Sequence, residues 1–436
     1  MLLNAADKAL WRLALPMIFS NITVPLLGLV DTAVIGHLDS PVYLGGVAVG
    51  ATATSFLFML LLFLRMSTTG LTAQAWGAKD PQRLALVQPL ALALGAGVLI
   101  ILLRLPLIDL ALHIVGGSEA VLEQARRFLE IRWLSAPASL ANLVLLGWLL
   151  GVQYARAPVI LLVVGNLLNI VLDLWLVMGL RMNVQGAALA TVTAEYATLI
   201  IGLLMAKRVL TLRGVSLAML KNAWRGDLRR LLALNRDIML RSLLLQLCFG
   251  ALTVFGARLG SDIVAVNAVL MTMLTFTAYA LDGFAYAVEA HSGQAYGARD
   301  GSQLLEVWRA ACRQSGMVAL AFALIYSLAG QYIIALLTSL PSLQQLADRY
   351  LIWQTLLPVV GVWCYLLDGM FIGATRGAEM RNSMAVAAAG FAVTLLTLPV
   401  LGNHGLWLAL AVFLALRGLS LALIWRRHWR RGTWFS

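Results

Sequence analysis

Long uncharged stretches alternate with short polar connections along the whole chain. Leu13–Val30, Ser40–Leu64, Leu84–Leu103, Trp133–Ala155 and Ala157–Leu172 hold no charged residue, and a sixth apolar run from about Met182 to Ala206 holds one, Glu195. The second half repeats the pattern in Ser242–Ala257, Ile263–Leu281, the front of Gln314–Ala347, Tyr350–Leu367 and Asn382–Leu416. The last run is long enough for two helices folded at Gly402–Gly405. A hydrocarbon core of about 30 Å is crossed by about 20 helical residues, so these lengths predict twelve membrane-spanning helices joined by short loops.

Composition makes a water-soluble globule untenable: 61% of the 436 residues are hydrophobic, 12% are charged, and mean hydropathy is +0.87. The net charge of +12 raises the question of nucleic acid. Its basic residues lie between apolar runs and form no folded basic face, so no nucleic-acid partner is expected. Cys248, Cys312 and Cys364 are scattered, with neither a disulfide framework nor metal-ligand spacing. The opening MLLNAADKAL lacks a charged leader and a small-residue cleavage site, so the first span is expected to act as an anchor.

Placing both termini in the cytoplasm puts Lys8, Arg12, Lys79, Arg83, the Lys207–Arg241 segment and the Arg426–Arg431 tail on one side. The opposite connections, such as Pro106–Gln124 and Gly330–Gln345, carry no Lys or Arg. Basic residues resist export, so this asymmetry orients the protein. Trp11, Trp425 and Trp429 at span ends are expected to be interfacial anchors.

The chain also repeats itself. Gln74–Asp80 (QAWGAKD) returns 220 positions later as Gln294–Asp300 (QAYGARD), and Gly147–Gly151 (GWLLG) returns after 222 as Gly369–Gly373 (GMFIG). The expected organisation is therefore an all-α integral membrane protein of two six-helix lobes, 1–206 and 237–436, joined by a basic linker, 207–236. Six is even, so the repeats run parallel, around a central cavity of the transporter type. No phosphate-binding loop of the G-x-x-x-x-G-K-[ST] type occurs, and pumping is expected to draw on an ion gradient or a partner.

An ionisable group inside a span costs at least a few kcal/mol and needs a partner, a water cavity or a function. Asp31 stands on one helical face with Asn21, Val24 and Gly28, and Asn166, Asn169 and Asp173 share a face of the fifth span. Such oxygens can hold Na⁺, or a desolvated carboxylate can take up a proton. The repeat supplies Ala251 opposite Asp31 and no acid opposite Asp173, so only the first lobe carries the pair. Glu195 lines the same cavity or bonds a neighbouring helix. Asp282, Glu289 and Asp368 are second-lobe cavity or relay candidates, with Arg65 and Arg417 as available partners. Arg126 and Arg127 are expected to neutralise Glu130. Pro16 and Pro25 each remove a backbone hydrogen bond from the first span, which either kinks it permanently or lets it bend.

With the Pro16–Asp31 span containing GLVDTAVIG, the Asn169-x-x-x-Asp173 pair and GAALAT ending at Thr191, the chain resembles the multidrug and toxic compound extrusion (MATE) transporters, in their DinF-like branch. The resemblance covers essentially all of the sequence. It implies cation-coupled antiport with Asp31, Asn169, Asp173 and Thr191 as the first-lobe cation or proton site, and Pro16 as the point about which the first span bends. Asp368 matches an acid of the NorM-like branch whose partner acid is missing here. The resulting expectation is an inner-membrane monomer, not an enzyme and without a cofactor, that exports amphipathic, often cationic compounds in exchange for H⁺ or Na⁺. A flippase for lipid-linked substrates is the rival of related architecture.

Overall fold

The computed structural model describes residues 4–36, 41–79, 87–212 and 228–435, the side chains of 23–33, 36, 41, 87 and 228 excepted. Among these residues the regular structure is helical throughout. The helices are α1 (Ala5–Gly36), α2 (Pro41–Leu60), α3 (Phe63–Gly77), α4 (Val87–Val115), α5 (Glu119–Arg132), α6 (Ala136–Gly151), α7 (Arg156–Asp173) and α8 (Asn183–Leu212). They are followed by α9 (Leu228–Leu259), α10 (Ser261–Ala298), α11 (Gly301–Leu337), α12 (Pro341–Gly373), α13 (Gly377–Thr394), the single turn α14 (Leu398–Leu401) and α15 (Asn403–Arg431).

Eleven helical segments among the described residues are long and apolar enough to cross a membrane, and α1, of 32 residues, carries the remaining expected span. Several outrun their apolar cores: α10 and α11 have 38 and 37 residues. Helical hydrogen bonding continues past the apolar run, through Gly283, Gly293 and Gly297 in α10. The fold expected near Gly402 is found. Gly402 has φ +60°, a backbone that disfavours any side chain, and α15 starts at the next residue.

The chain divides into two compact units, 22–229 and 230–436 together with 1–21. The division falls inside α1. Its first half belongs with the second unit because Trp11 meets Phe284 edge to face at 5.0 Å and donates to Gln314 Oε1 at 2.9 Å. Trp11 thus packs within this unit.

Within each unit the same crossing recurs, and glycine makes it. A Cβ on Gly147 would lie 2.5 Å from the Arg65 carbonyl oxygen, and one on Gly151 would lie 2.7 Å from Thr72 Cβ. In the other unit a Cβ on Gly369 would lie 2.6 Å from the Ala285 oxygen, and one on Gly373 would lie 2.5 Å from Ser292 Oγ. Arg65 and Ala285, like Thr72 and Ser292, are 220 positions apart. Helices in lipid associate through close van der Waals packing, which small residues permit, so α6 on α3 and α12 on α10 are one crossing made twice. The left-handed residues repeat as well: Lys79 (φ 54°) matches Arg299 (φ 53°), and Gln153 (φ 62°) matches Thr375 (φ 55°). The first pair lies at the end of the repeated QA-x-GA-x-D motif.

The expected neutralisation of Glu130 is not what the structure shows. Arg126 pairs with Asp109 across to α4, and Arg127 reaches back one turn to Glu123 at 2.9 Å.

Candidate functional site

The α7 helix starts apolar and ends at a carboxylate. Along it Ala157, Pro158, Leu161, Asn169 and Asp173 are buried, a stripe with near-helical spacing. Asn169 is 2% exposed and Asp173 1%. Asn169 Oδ1 has no hydrogen-bond partner among the described residues. A buried amide oxygen beside a buried carboxyl group is expensive in an apolar medium, and it supplies oxygen ligands for a cation or a proton acceptor.

Asp173 is the last residue of α7. The chain then widens into a π-helical turn, Leu174–Gly179, with the Leu180 N–H bonded to the Trp175 carbonyl at 2.9 Å. Such turns are rare and gather at functional sites. In the other unit, a 3₁₀ turn Leu395–Thr397 breaks the helix at the matching place, 222 positions on, where Leu395 stands in the acid's stead. Both repeats therefore interrupt this helix, and only one puts a carboxylate at the interruption.

The α8 helix closes on that turn through its small residues. Ala187, Ala188 and Ala190 are 4% exposed or less, and a Cβ on Gly186 would lie 3.1 Å from the Leu176 carbonyl. The GAALAT motif is thus a close seam against the segment that follows Asp173. Thr191, at its end, is half-buried and donates its hydroxyl to the Ala187 carbonyl at 3.2 Å, which leaves its oxygen as an acceptor.

Asp31 and Pro25 sit in α1, with side chains outside the described residues. Pro16 is half-buried in the same helix. Asn21 donates to the Tyr279 carbonyl at 3.2 Å. Asn166 is half-buried on α7. Glu195 bonds neighbouring helices: Asn142 of α6 donates to its Oε2 at 3.0 Å, and Arg132 of α5 lies 4.0 Å away. Glu289 is 2% exposed and Asp282 half-buried, both on α10.

Asp368 is buried among cations. Arg241 of α9 donates to its Oδ2 at 2.5 Å, and Arg417 of α15 bonds the same oxygen. The three side chains are 7%, 7% and 4% exposed, respectively, for Asp368, Arg241 and Arg417. Two tethered guanidinium groups therefore hold this carboxylate, in the arrangement that buried charge requires. Arg417 was legible as a partner because it lies alone within an apolar run. Arg241 was missed because it closes a basic stretch that reads as linker. Arg132, just before the run that starts at Trp133, was missed for the same reason. In each case the signal is an arginine next to the apolar boundary on a helix that continues past it.

The sequence pattern of the MatE family matches residues 16–175 and 238–401. The chain belongs to the MatE family. Its two matched stretches begin 222 positions apart, which is the repeat interval found within the sequence. DNA damage-inducible protein F of Escherichia coli (strain K12) is 87% identical over 436 residues, covering 100% of this chain and 95% of that protein. The probable multidrug resistance protein NorM of Acinetobacter baylyi is 23% identical, over 96% of this MatE chain and 94% of its own. Among solved structures, MATE in the bent conformation superposes with a TM-score of 0.84 at 22% identity, over 98% of this chain and 96% of that one. An outward-facing multidrug resistance MATE transporter gives 0.83 at 23% identity, with the same coverage. The protein is a multi-pass membrane transporter with the MATE fold.

Proposed function

We propose that this MatE transporter exports amphipathic, often cationic compounds across the bacterial inner membrane in exchange for a cation, H⁺ in preference to Na⁺. Asp31, Asn169, Asp173 and Thr191 form the coupling site, and both termini lie in the cytoplasm. The observation that carries this reading is the burial of Asp173 and Asn169 on one face of α7, at a π-turn in a membrane-spanning segment. The double clamp on Asp368 supports it, because a carboxylate already held by two arginines is a poor exchanger. The names of the MatE relatives, a multidrug resistance protein among them, support the substrate class.

In this mechanism the carboxylates attract a cationic substrate while the site opens inward. Protonation from outside then removes that attraction, and α1 bends near Pro16 and Pro25 as Asp31 loses its charge. One pH unit supplies about 1.4 kcal/mol and 100 mV about 2.3 kcal/mol per charge. One proton then sustains a gradient of roughly several hundredfold for a neutral substrate. A monovalent cation exchanged for one proton moves no net charge, so only the pH difference drives it.

The test is uptake of a fluorescent organic cation into proteoliposomes under an imposed pH gradient or an imposed Na⁺ gradient. Wild-type protein should respond to the pH gradient, and Asp31→Asn should not, while inserting into the vesicles normally. Full transport by Asp31→Asn would overturn the assignment.

A further inference from the structure

Among the described residues, aromatic rings and arginines without counter-ions meet at one end of the unit formed by 1–21 and 230–436. Trp308 of α11 lies 6.0 Å from Trp425 of α15, Trp425 stacks on Trp429 at 5.5 Å, and Trp429 meets Phe435 at 6.2 Å. Trp425 and Trp429 are one turn apart, so Arg426 and Arg430 follow each other up the adjoining side of the same helix, about 100° round. Arg309 directly follows Trp308. All three arginines are exposed, and among the described residues they make no ion pair.

The acids at this end are already engaged or too few. Glu379 is held by Arg376 at 3.0 Å and by His428 at 2.9 Å, Asp7 by Arg313 at 3.0 Å, and Asp300 caps α11 through the Gln303 N–H at 3.2 Å. Exposed Glu306, one turn before Arg309, is the one acid left against Arg309, Arg426 and Arg430 at this end among the described residues. A surplus of fixed positive charge beside a tryptophan row calls for an anion with an apolar body. Tryptophan favours the headgroup level of a membrane, guanidinium matches phosphate with two parallel hydrogen bonds, and acidic lipids bind basic clusters at span ends.

We propose that the Trp308–Trp425–Trp429 row with Arg309, Arg426 and Arg430 binds the phosphodiester headgroup of an anionic phospholipid. The headgroup lies against the arginines, and the glycerol and upper acyl chains lie along the indoles. The leaflet follows from the orientation proposed above, whereas the binding does not, so the two can fail separately.

The test is titration of the purified full chain in detergent with phosphatidylglycerol, bound lipid being counted by native mass spectrometry. Phosphatidylcholine is the zwitterionic control. Wild type should bind phosphatidylglycerol in preference, and Arg426→Gln with Arg430→Gln should weaken it on the order of thirtyfold, about fivefold for each charge. Arg426→Lys with Arg430→Lys should retain most of the binding, and Arg349→Gln, an exposed arginine at the far end of α12, should leave it unchanged. Equal binding by the double Gln variant, or equal binding of phosphatidylcholine, would overturn the proposal. So would thermal stabilisation by inorganic phosphate equal to that by the lipid, which would make this a site for free anions.

Discussion

Asp173 and Asp368 are both buried aspartates within apolar helices. Asp368 lies between Arg241 and Arg417, and removing its charge leaves two buried cations facing each other. Asp368→Asn is expected to destabilise the protein by about 3–5 kcal/mol, read as a lower melting temperature and poorer yield in detergent. Asp173→Asn should lose transport driven by a pH gradient, which vesicle assays measure. Asp7, outside the apolar run of α1, offers a third case. Burial alone would raise its carboxyl group, but the hydrogen bond and charge of Arg313 and the Asn4 amide outweigh this and hold it below its ordinary 3.8. A depressed carboxyl group stabilises the folded state above its unfolded value and loses that contribution as pH falls through the folded one. Asp7→Asn should therefore melt lower than wild type at neutral pH, by about 1 kcal/mol given the half-exposed Arg313. The difference should close below about pH 3.8.

At the level of helices, the repeated glycine crossing sets tolerance to substitution. Gly373→Val would press against Ser292 Oγ and the Glu289 carbonyl, backbone and side chain of a packed helix that have little room to yield. A loss of about 1–3 kcal/mol is expected. Gly95→Ala in α4 has nothing within 4 Å of the new Cβ and should be neutral or stabilise by about 0.5–1 kcal/mol through helix propensity. Thermal unfolding of the two variants side by side checks both. Such crossings were legible in the sequence, since GWLLG and GMFIG are small residues four apart at repeat-related positions. Helix ends were less so. Apolar runs mark the hydrocarbon core, not the helical hydrogen bonding that continues beyond it, and α10 and α11 exceed their runs for that reason. The π-turn after Asp173 left no trace either, because Leu174–Gly179 is as apolar as a regular helix.

For the whole molecule, the order of apolar runs gave the span arrangement and the duplication gave its two-fold repetition, because both follow from lengths and spacings along the chain. The Asn169–Asp173 face was legible from their spacing of four. What the sequence withheld were pairings across long separations: Trp11 on Phe284, Arg241 on Asp368 and Arg132 near Glu195 join residues that local patterns cannot link. In the proposed mechanism the exchangeable charges belong to the first repeat. The most direct measurement is proton release on substrate binding, followed with a pH dye in weakly buffered detergent solution as an organic cation is added. Wild type should release up to one proton per cation bound, and Asp31→Asn with Asp173→Asn should release none. Undiminished release from that double variant would contradict the proposed coupling.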